Sequence, residues 1–527
     1  MATVAHDRIG WIDVSDDITK SPRACRGAFL YPRFSSNERH QSGDSMAQGF
    51  QHHKTAATDR IPWIQLIAYG MGGFVPIALF NSVGQLSGLI LNVGLGISAI
   101  LVGVAQMVPR FWDAVTDPVM GYISDNTRSP WGRRRPYIFI GGIAVSISFV
   151  AMWSVPRDWD ASGQFWYFLS TSLVFYTAVT MFEIPHGALG MEMTDDYHER
   201  TRLFSAKSFI GNLGAIITPW FYAMSHWDIF KGTGDEVDGM RRVAYLAGAM
   251  VLLPAFACAF LCKERHVKQT LHQKRESLAS SMRATTSNRT FLILVGVVFM
   301  TVMGFNVVNG FANYIAVFYL FSGNKDAASS LLGVNGTVWG ITSVVAVVPL
   351  MFMSVRIGKN RTMRTAIMLM GGAQVLKLVC YNPSMPYLTL IPTMMLAAGM
   401  LMFFTLASAM VADVCDEDEL NTGTRSEGAY YSVFWWFMKM GMAVAYLIAG
   451  LLIEFAGFDQ KESIQTDHTL LLLRVFEIGI PILLCLGSLM LIRIYPLNEE
   501  RAYEIKGLLD ARREQTKLDN AAQEEIE

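Results

Sequence analysis

From Ile61 onward the chain alternates apolar runs of about twenty residues with short polar breaks. Twelve such runs can be marked, at 63–90, 97–124, 136–155, 164–190, 204–226, 241–262, 291–321, 327–355, 363–380, 386–412, 429–456 and 470–494. Each is long enough to cross a bilayer as a helix, where every backbone polar group must be satisfied within the segment. The pattern predicts an all-α polytopic membrane protein with twelve transmembrane helices.

The flanking segments read differently. Residues 1–60 are polar and aperiodic, without an apolar run of seven, and read as a disordered N-terminal extension in which Met46 offers a second start. Residues 263–290 form the longest and most basic break and divide the spans six and six, so 61–262 and 291–494 read as two halves. Residues 495–527 alternate in charge and predict a short solvated helix. Lys and Arg crowd the 2–3, 4–5, 6–7 and 8–9 loops and the tail, which places both termini in the cytoplasm of a plasma or inner membrane.

The halves echo each other. GMEMTDDYHERTR follows span 4 and ADVCDEDELNTGTR follows span 10, and the 2–3 and 8–9 loops are both basic. Two six-helix halves around a midplane site is a common transporter plan.

Composition narrows the function. The chain is 52% hydrophobic and 17% charged, against roughly 25% charge in soluble proteins. A net charge of −1 gives no reason to expect a nucleic-acid partner. The absence of a GxxxxGK[ST] loop argues against ATP-driven pumping. Six cysteines show no metal-ligand spacing, and Cys258, Cys262, Cys380 and Cys485 sit in apolar runs as packing residues. No cofactor is expected, no metal beyond a coupling ion, and the lipid bilayer is the one obligatory partner of an expected monomer.

The polar residues inside spans carry the chemistry. Arg110, Asp113 and Asp117 recur at three and four, one stripe of a helix. Each ionisable group in a membrane segment costs about 2.5–3.5 kcal/mol or more, so the stripe should face a protein interior or a cavity. Two carboxylates one turn apart, about 6 Å, repel by about 3 kcal/mol at an effective dielectric near 20. A proton, a nearby cation such as Arg110, or a bound Na⁺ relieves that conflict. Thr116 and Thr180 can add neutral oxygens to a Na⁺ site, and Pro118 leaves the carbonyl of Ala114 without its helical donor. A purely structural Arg110–Asp113 ion pair is the alternative. Glu183 can accept from solute hydroxyls or pair with Lys439, and His186, three residues on, reads as a packed histidine or a proton relay. Asn306, Asn309 and Asn313 form a second stripe, whose amides both donate and accept and so suit a sugar. Asn81 and Gln85 make a weaker pair, and Trp435 and Trp436 offer faces on which a sugar could stack or interface packing. Arg133, Arg134 and Arg135 read as partners of an acidic gate around Asp413, Asp416 and Glu427 with Arg425, or each set as a solvated loop.

The runs RFWDAVTDP and TRSPWGRRRP, with TMFEIPHGALG at 180–190 and the block 412–441, resemble the melibiose permease family. These are the glycoside–pentoside–hexuronide:cation symporters of the major facilitator superfamily, and the resemblance spans about 61–494. It implies cation ligation by Asp113, Asp117 and Thr180, with Thr116 where the family has Asn. It implies solute contact by Glu183 and Phe404 and retention of the helix 11 lysine as Lys439; Arg110 is counted with the solute-binding groups. Ile77 and Gly187 stand where the family has an acid and a Trp, so a solute other than melibiose is implied. The reading is a secondary transporter coupling Na⁺ or H⁺ entry to uptake of a sugar-like small molecule. The alternatives are a cation-coupled carrier of a lysophospholipid or other amphiphile, and a non-transporting membrane sensor.

Overall fold

The computed structural model describes residues 60–194, 196–264, 285, 287–423 and 427–524. Twelve helical segments cross the bundle. In chain order they are α1 (Trp63–Gly94), α2 (Ala99–Asn126), α3 (Arg135–Met152), α4 (Ala161–Glu192), α5 (Tyr197–Ile217, resumed as Trp220–Ser225) and α6 (Glu236–Leu261). The second six are α7 (Arg289–Leu320), α8 (Lys325–Val345 and Val347–Ile357, bent by 41°), α9 (Lys359–Cys380), α10 (Pro386–Thr422), α11 (Glu427–Phe455) and α12 (Asp467–Arg493). A thirteenth helix, α13 (Glu499–Glu524), lies largely exposed after them. Among the described residues there is no strand.

Nine of the twelve are long and apolar enough to span a membrane unaided, and α8 makes a tenth when its two bent pieces count as one. The other two, α2 and α5, carry the charges: Arg110, Asp113 and Asp117 on α2, and Glu199, Arg200, Arg202 and Lys207 on α5. They are spans whose polar face is needed inside the bundle. Short polar residues start several helices by accepting from first-turn N–H groups: Asp160 from Gly163 (3.2 Å), Asp196 from Glu199 (2.8 Å), Asn288 from Phe291 (3.0 Å) and Asn324 from Ala327 (3.1 Å).

Helices α1–α6 pack as one half and α7–α12 as the other, and the halves meet along α2–α11 and α5–α8. Both seams lie at the end of the bundle away from the start of α1 and from α13, the far end; the opposite end is called the terminal end. There α2 and α11 approach backbone to backbone: a Cβ on Gly103 would sit 2.7 Å from the carbonyl oxygen of Tyr446. Gly336 of α8 lies flat against the ring of Pro219, and Trp220 donates to Thr337 across the same seam at 2.8 Å. Lys325 pairs with Glu236, and Lys231 lies 3.8 Å from Asp326, closing the far end electrostatically. The apolar core has the same asymmetry. The cluster built on Tyr69, Phe149, Phe175 and Phe182 continues at the far end into Phe311, Tyr314, Phe318 and Ile453 of the second half. At the terminal end the second half keeps a separate cluster around Phe291, Met363, Phe403 and Phe434. The halves are therefore joined at the far end and apart at the terminal end.

Candidate functional site

The joined halves enclose a cavity of about 630 Å³ in the far-end portion of the bundle. Its wall comes from α1, α2, α5, α7, α8, α9, α10 and α11. Six asparagines line it, Asn81, Asn212, Asn306, Asn309, Asn313 and Asn335, together with Gln85. The asparagine stripe of α7 thus faces one cavity with the α1 pair opposite. Asn313 donates to the carbonyl of Gln85 at 2.7 Å and so ties the two halves across the wall, while Asn306 donates to the carbonyl of Val302 at 2.8 Å. Phe80, Phe305, Trp339, Phe404 and Tyr446 supply apolar and aromatic surface. Phe209 of α5, part of the cavity wall, is 63% exposed.

Arg110 joins this cavity to an ionic layer on its terminal side. Its guanidinium is buried over the ring of Phe80, 3.9 Å from the centroid, with Tyr176 at 4.9 Å and Tyr446 at 6.0 Å. Rings from α1, α4 and α11 partly replace water around the charge. Nε and one terminal nitrogen have no hydrogen-bond partner, and that nitrogen lies 3.9 Å from Asp113. One turn on, the ammonium of Lys439, from α11, lies 3.8 Å from Asp113 and 2.5 Å from Asp117. Thr180 of α4 donates to the other oxygen of Asp117 at 2.9 Å, and Thr116 is 3.4 Å from Thr180. Two carboxylates and two cations therefore alternate along one line, drawn from α2 and α11, with the Thr180 hydroxyl of α4 at its end. The charges along this line balance, and the ammonium of Lys439 lies between the two acids.

Several residues singled out in the sequence lie elsewhere. Lys439 pairs with the α2 acids, not with Glu183. Glu183 is exposed, with Lys207, Lys439 and Asp117 as the charged groups acting on it, and it is not part of the cavity wall. Trp435 is 51% exposed, packs edge-on against Phe434 and also lies off the wall. The reason is depth. On α11 the wall residues are Met442 and Tyr446, so Trp435 sits two or three turns nearer the terminal end. His186 is buried, with Nε2 3.0 Å from the carbonyl oxygen of Tyr69 and its ring stacked on Tyr69 at 4.5 Å, the surroundings of a packed histidine.

At the terminal end the ion pairs of Arg133 and Arg134 with Glu192 and of Lys359 with Asp413 each lie within one half. Arg133 donates to Glu192 at 2.7 Å, Arg134 donates to the same oxygen at 2.9 Å and also pairs with Asp125, and Glu264 accepts from the backbone N–H groups of Arg133 and Arg134 at 2.9 Å each. Arg135 donates to the carbonyl of Ala259 at 2.7 Å. In the second half Asp413 takes the ammonium of Lys359 at 2.7 Å. Asp416 and Glu427 also have partners, and Arg425 lies outside the described residues. Arg133 and Arg134 thus brace the α2–α3 turn against the end of α4.

Sequence reasoning missed one buried cluster. Lys377 of α9 and the Tyr381 hydroxyl both donate to one oxygen of Glu477 on α12, at 2.7 and 2.6 Å, while the other oxygen has no partner. Lys377 and Tyr381 line the cavity. Ionisable residues within the apolar 363–380 and 470–494 runs, Lys377 and Glu477 among them, were the signal.

Comparison with known proteins agrees with this architecture. Residues 69–499 match the profile of the MFS/sugar transport protein family. The chain is 25% identical to the isoprimeverose transporter of Lactiplantibacillus pentosus, covering 83% of this chain and 91% of that one. It is also 25% identical to the sodium-dependent lysophosphatidylcholine symporter 1-A of Danio rerio, over 83% and 84%. Among solved structures, the nucleoside transporter NupG superposes with a TM-score of 0.58 at 14% identity, covering 82% of this chain and 100% of that one. A match over most of the chain, carried on a twelve-helix frame of two halves around one cavity, establishes that the protein belongs to the MFS/sugar transport family and is a multi-pass membrane transporter rather than an enzyme.

Proposed function

We propose that this transporter couples entry of a cation, Na⁺ or H⁺, to uptake of a hydroxyl-rich, glycoside-like solute. One observation carries the reading: seven carboxamide side chains from both halves surround a single cavity that abuts an alternating ionic layer. Carboxamides pair with hydroxyls as donors and as acceptors, and the interleaved rings suit the C–H faces of a sugar. The isoprimeverose relative supports the solute class, and the sodium-dependent relative supports cation coupling.

In this account Asp113 and Asp117 are the cation ligands, with Thr180 and Thr116 as neutral oxygens. Lys439 holds the acids while no cation is present. An entering cation displaces its ammonium from Asp117, and the change reaches the cavity through Asp113 and Arg110, which are in contact with each other. Lys and Arg in the loops assign the terminal end to the cytoplasm, so the joined far end makes this an inward-open state. Rocking of the halves about α2–α11 and α5–α8 would expose the cavity to the other side. The Arg133–Glu192 and Lys359–Asp413 ties keep each half rigid while it moves. Each cation entering across 100 mV supplies about 2.3 kcal/mol, about fortyfold in solute concentration.

A second reading, transport of an amphiphile, is favoured by Phe209 on α5 and Val344 and Val347 on α8, which are apolar, exposed and part of the cavity wall. Proteoliposome uptake separates the two. Radiolabelled glycosides and a lysophosphatidylcholine are offered with and without inward Na⁺ and H⁺ gradients. Gradient-dependent glycoside accumulation supports the first reading; accumulation of the lysolipid alone replaces it with the second.

A further inference from the structure

We propose that the cavity selects a solute bearing an anionic group, a carboxylate or its equivalent, and that Lys377 on α9 is the residue that sets this selectivity. The inference rests on the solute-transport reading above and adds the charge of the solute. Among the described residues that line the cavity, Arg110 and Lys377 are the two that carry charge, and none is a carboxylate. They come one from each half, and both are nearly excluded from solvent, at 2% and 4% exposure. The acids that balance them stand behind the wall: Asp113 is 3.9 Å from Arg110, and Glu477 is 2.7 Å from Lys377. Each pair thus forms a dipole with its cationic end on the wall.

Both cations keep donors in reserve. Arg110 has two buried nitrogens without a hydrogen-bond partner; one faces Asp113 at 3.9 Å, which leaves Nε as the free donor. Lys377 gives one of its three ammonium protons to Glu477, and the Tyr381 hydroxyl supplements it on the same carboxylate oxygen. Thr389, Thr393 and Asn335 line the wall with Lys377 and can complete the coordination of an oxyanion. Charge-balanced dipoles of this kind leave the empty carrier neutral, which a carrier that recycles empty across the membrane requires, while offering two desolvated cations to an arriving anion. A neutral sugar would satisfy the carboxamides and leave these donors unpaired, a penalty that grows in a buried site.

The test is binding to the purified full-length protein, read by intrinsic tryptophan fluorescence. The probes are matched pairs: phenyl β-glucoside against phenyl β-glucuronide, and phenyl β-galactoside against its uronide. The unmodified protein should bind the carboxylate member of at least one pair about tenfold or more tightly than the neutral member. In Lys377→Met/Glu477→Gln, which removes both charges and leaves none unpaired, that preference should fall to within about twofold. Lys377→Arg, which keeps the charge, should retain it, and provides the reading if the double variant does not fold. Equal binding of neutral and anionic members by the unmodified protein overturns the anion inference and leaves the glycoside reading standing. Undiminished preference in the double variant, or its loss in a folded Lys377→Arg, removes Lys377 from the role. Failure of every probe to bind sinks both the inference and the glycoside reading.

Discussion

The role assigned to Lys439 makes a prediction with a worked size. Replacing it with Met removes the ammonium that lies 2.5 Å from Asp117 and 3.8 Å from Asp113. At an effective dielectric near 20, a unit charge at 3.8 Å is worth about 4 kcal/mol to a carboxylate. The side chains of Lys439 and Asp117 are 24% and 29% exposed, so water screens part of this, and about 2 kcal/mol is the reasonable share. Arg110 remains 3.9 Å from Asp113 and neutralises one acid, leaving Asp117 with Thr180 as its described partner. A coupling cation then no longer has to displace an ammonium. Lys439→Met should bind that cation about thirtyfold more tightly. Titrating the tryptophan fluorescence of purified protein with NaCl, and separately with acid, reads this for either ion: half-saturation at a lower cation concentration than in the unmodified protein. Net uptake should fall at the same time, because the cation-free carrier would have to reorient with an unbalanced carboxylate. A cation midpoint that stays put or weakens would refute the exchange of Lys439 for the cation.

Three further outcomes follow from the same geometry. Gly336→Leu places a side chain against Pro219 in the far-end seam, so it should disfavour the joined far end; a cysteine introduced on the far-end side of the seam should become more reactive to a membrane-impermeant maleimide, and unchanged labelling would contradict the seam. Asn309→Leu should cut solute binding about tenfold or more by removing an amide from the wall, with the cation midpoint unchanged, as measured by the same fluorescence titrations. Arg134→Gln leaves Glu192 and Asp125 short of a partner and should lower the thermal midpoint of the detergent-purified protein by several degrees, with solute affinity of the folded fraction intact; an unaltered midpoint would show that the α2–α3 turn does not depend on it.

How far the sequence reaches depends on the kind of signal. The twelve spans were legible because length and apolarity are local properties, and even α2 and α5, whose charge lowers their apolarity, were marked by the runs around them. The Arg110–Asp113–Asp117 line was legible because spacing of three and four fixes a helix face. Its partner was not: the family resemblance retained Lys439, but periodicity says nothing about which acid a lysine from another helix will meet, and Glu183 was as good a guess as Asp117. The cavity shows the same division. Asn306, Asn309 and Asn313 formed a visible stripe, whereas Asn212 and Asn335 stand alone on their helices and gained meaning only when α5 and α8 met. Trp435 and Glu183 were placed by face, but the cavity's depth along the helix axes is set by where the halves join, through contacts such as Gly103 against Tyr446. Lys377 and Glu477 could have been read by the rule that found Arg110. They passed unnoticed because the pair exists only between α9 and α12.

Coupling at the α2 acids is the central claim, and one measurement tests it most directly: solute accumulation in proteoliposomes carrying the unmodified protein or Asp117→Asn, under an imposed inward Na⁺ or H⁺ gradient. The unmodified protein should concentrate the solute above the external level under one of these gradients. Asp117→Asn, with its cation ligand neutralised, should bring the solute only to equality across the membrane. Accumulation by Asp117→Asn to the level of the unmodified protein, under the same gradient, would contradict the assignment of the cation site.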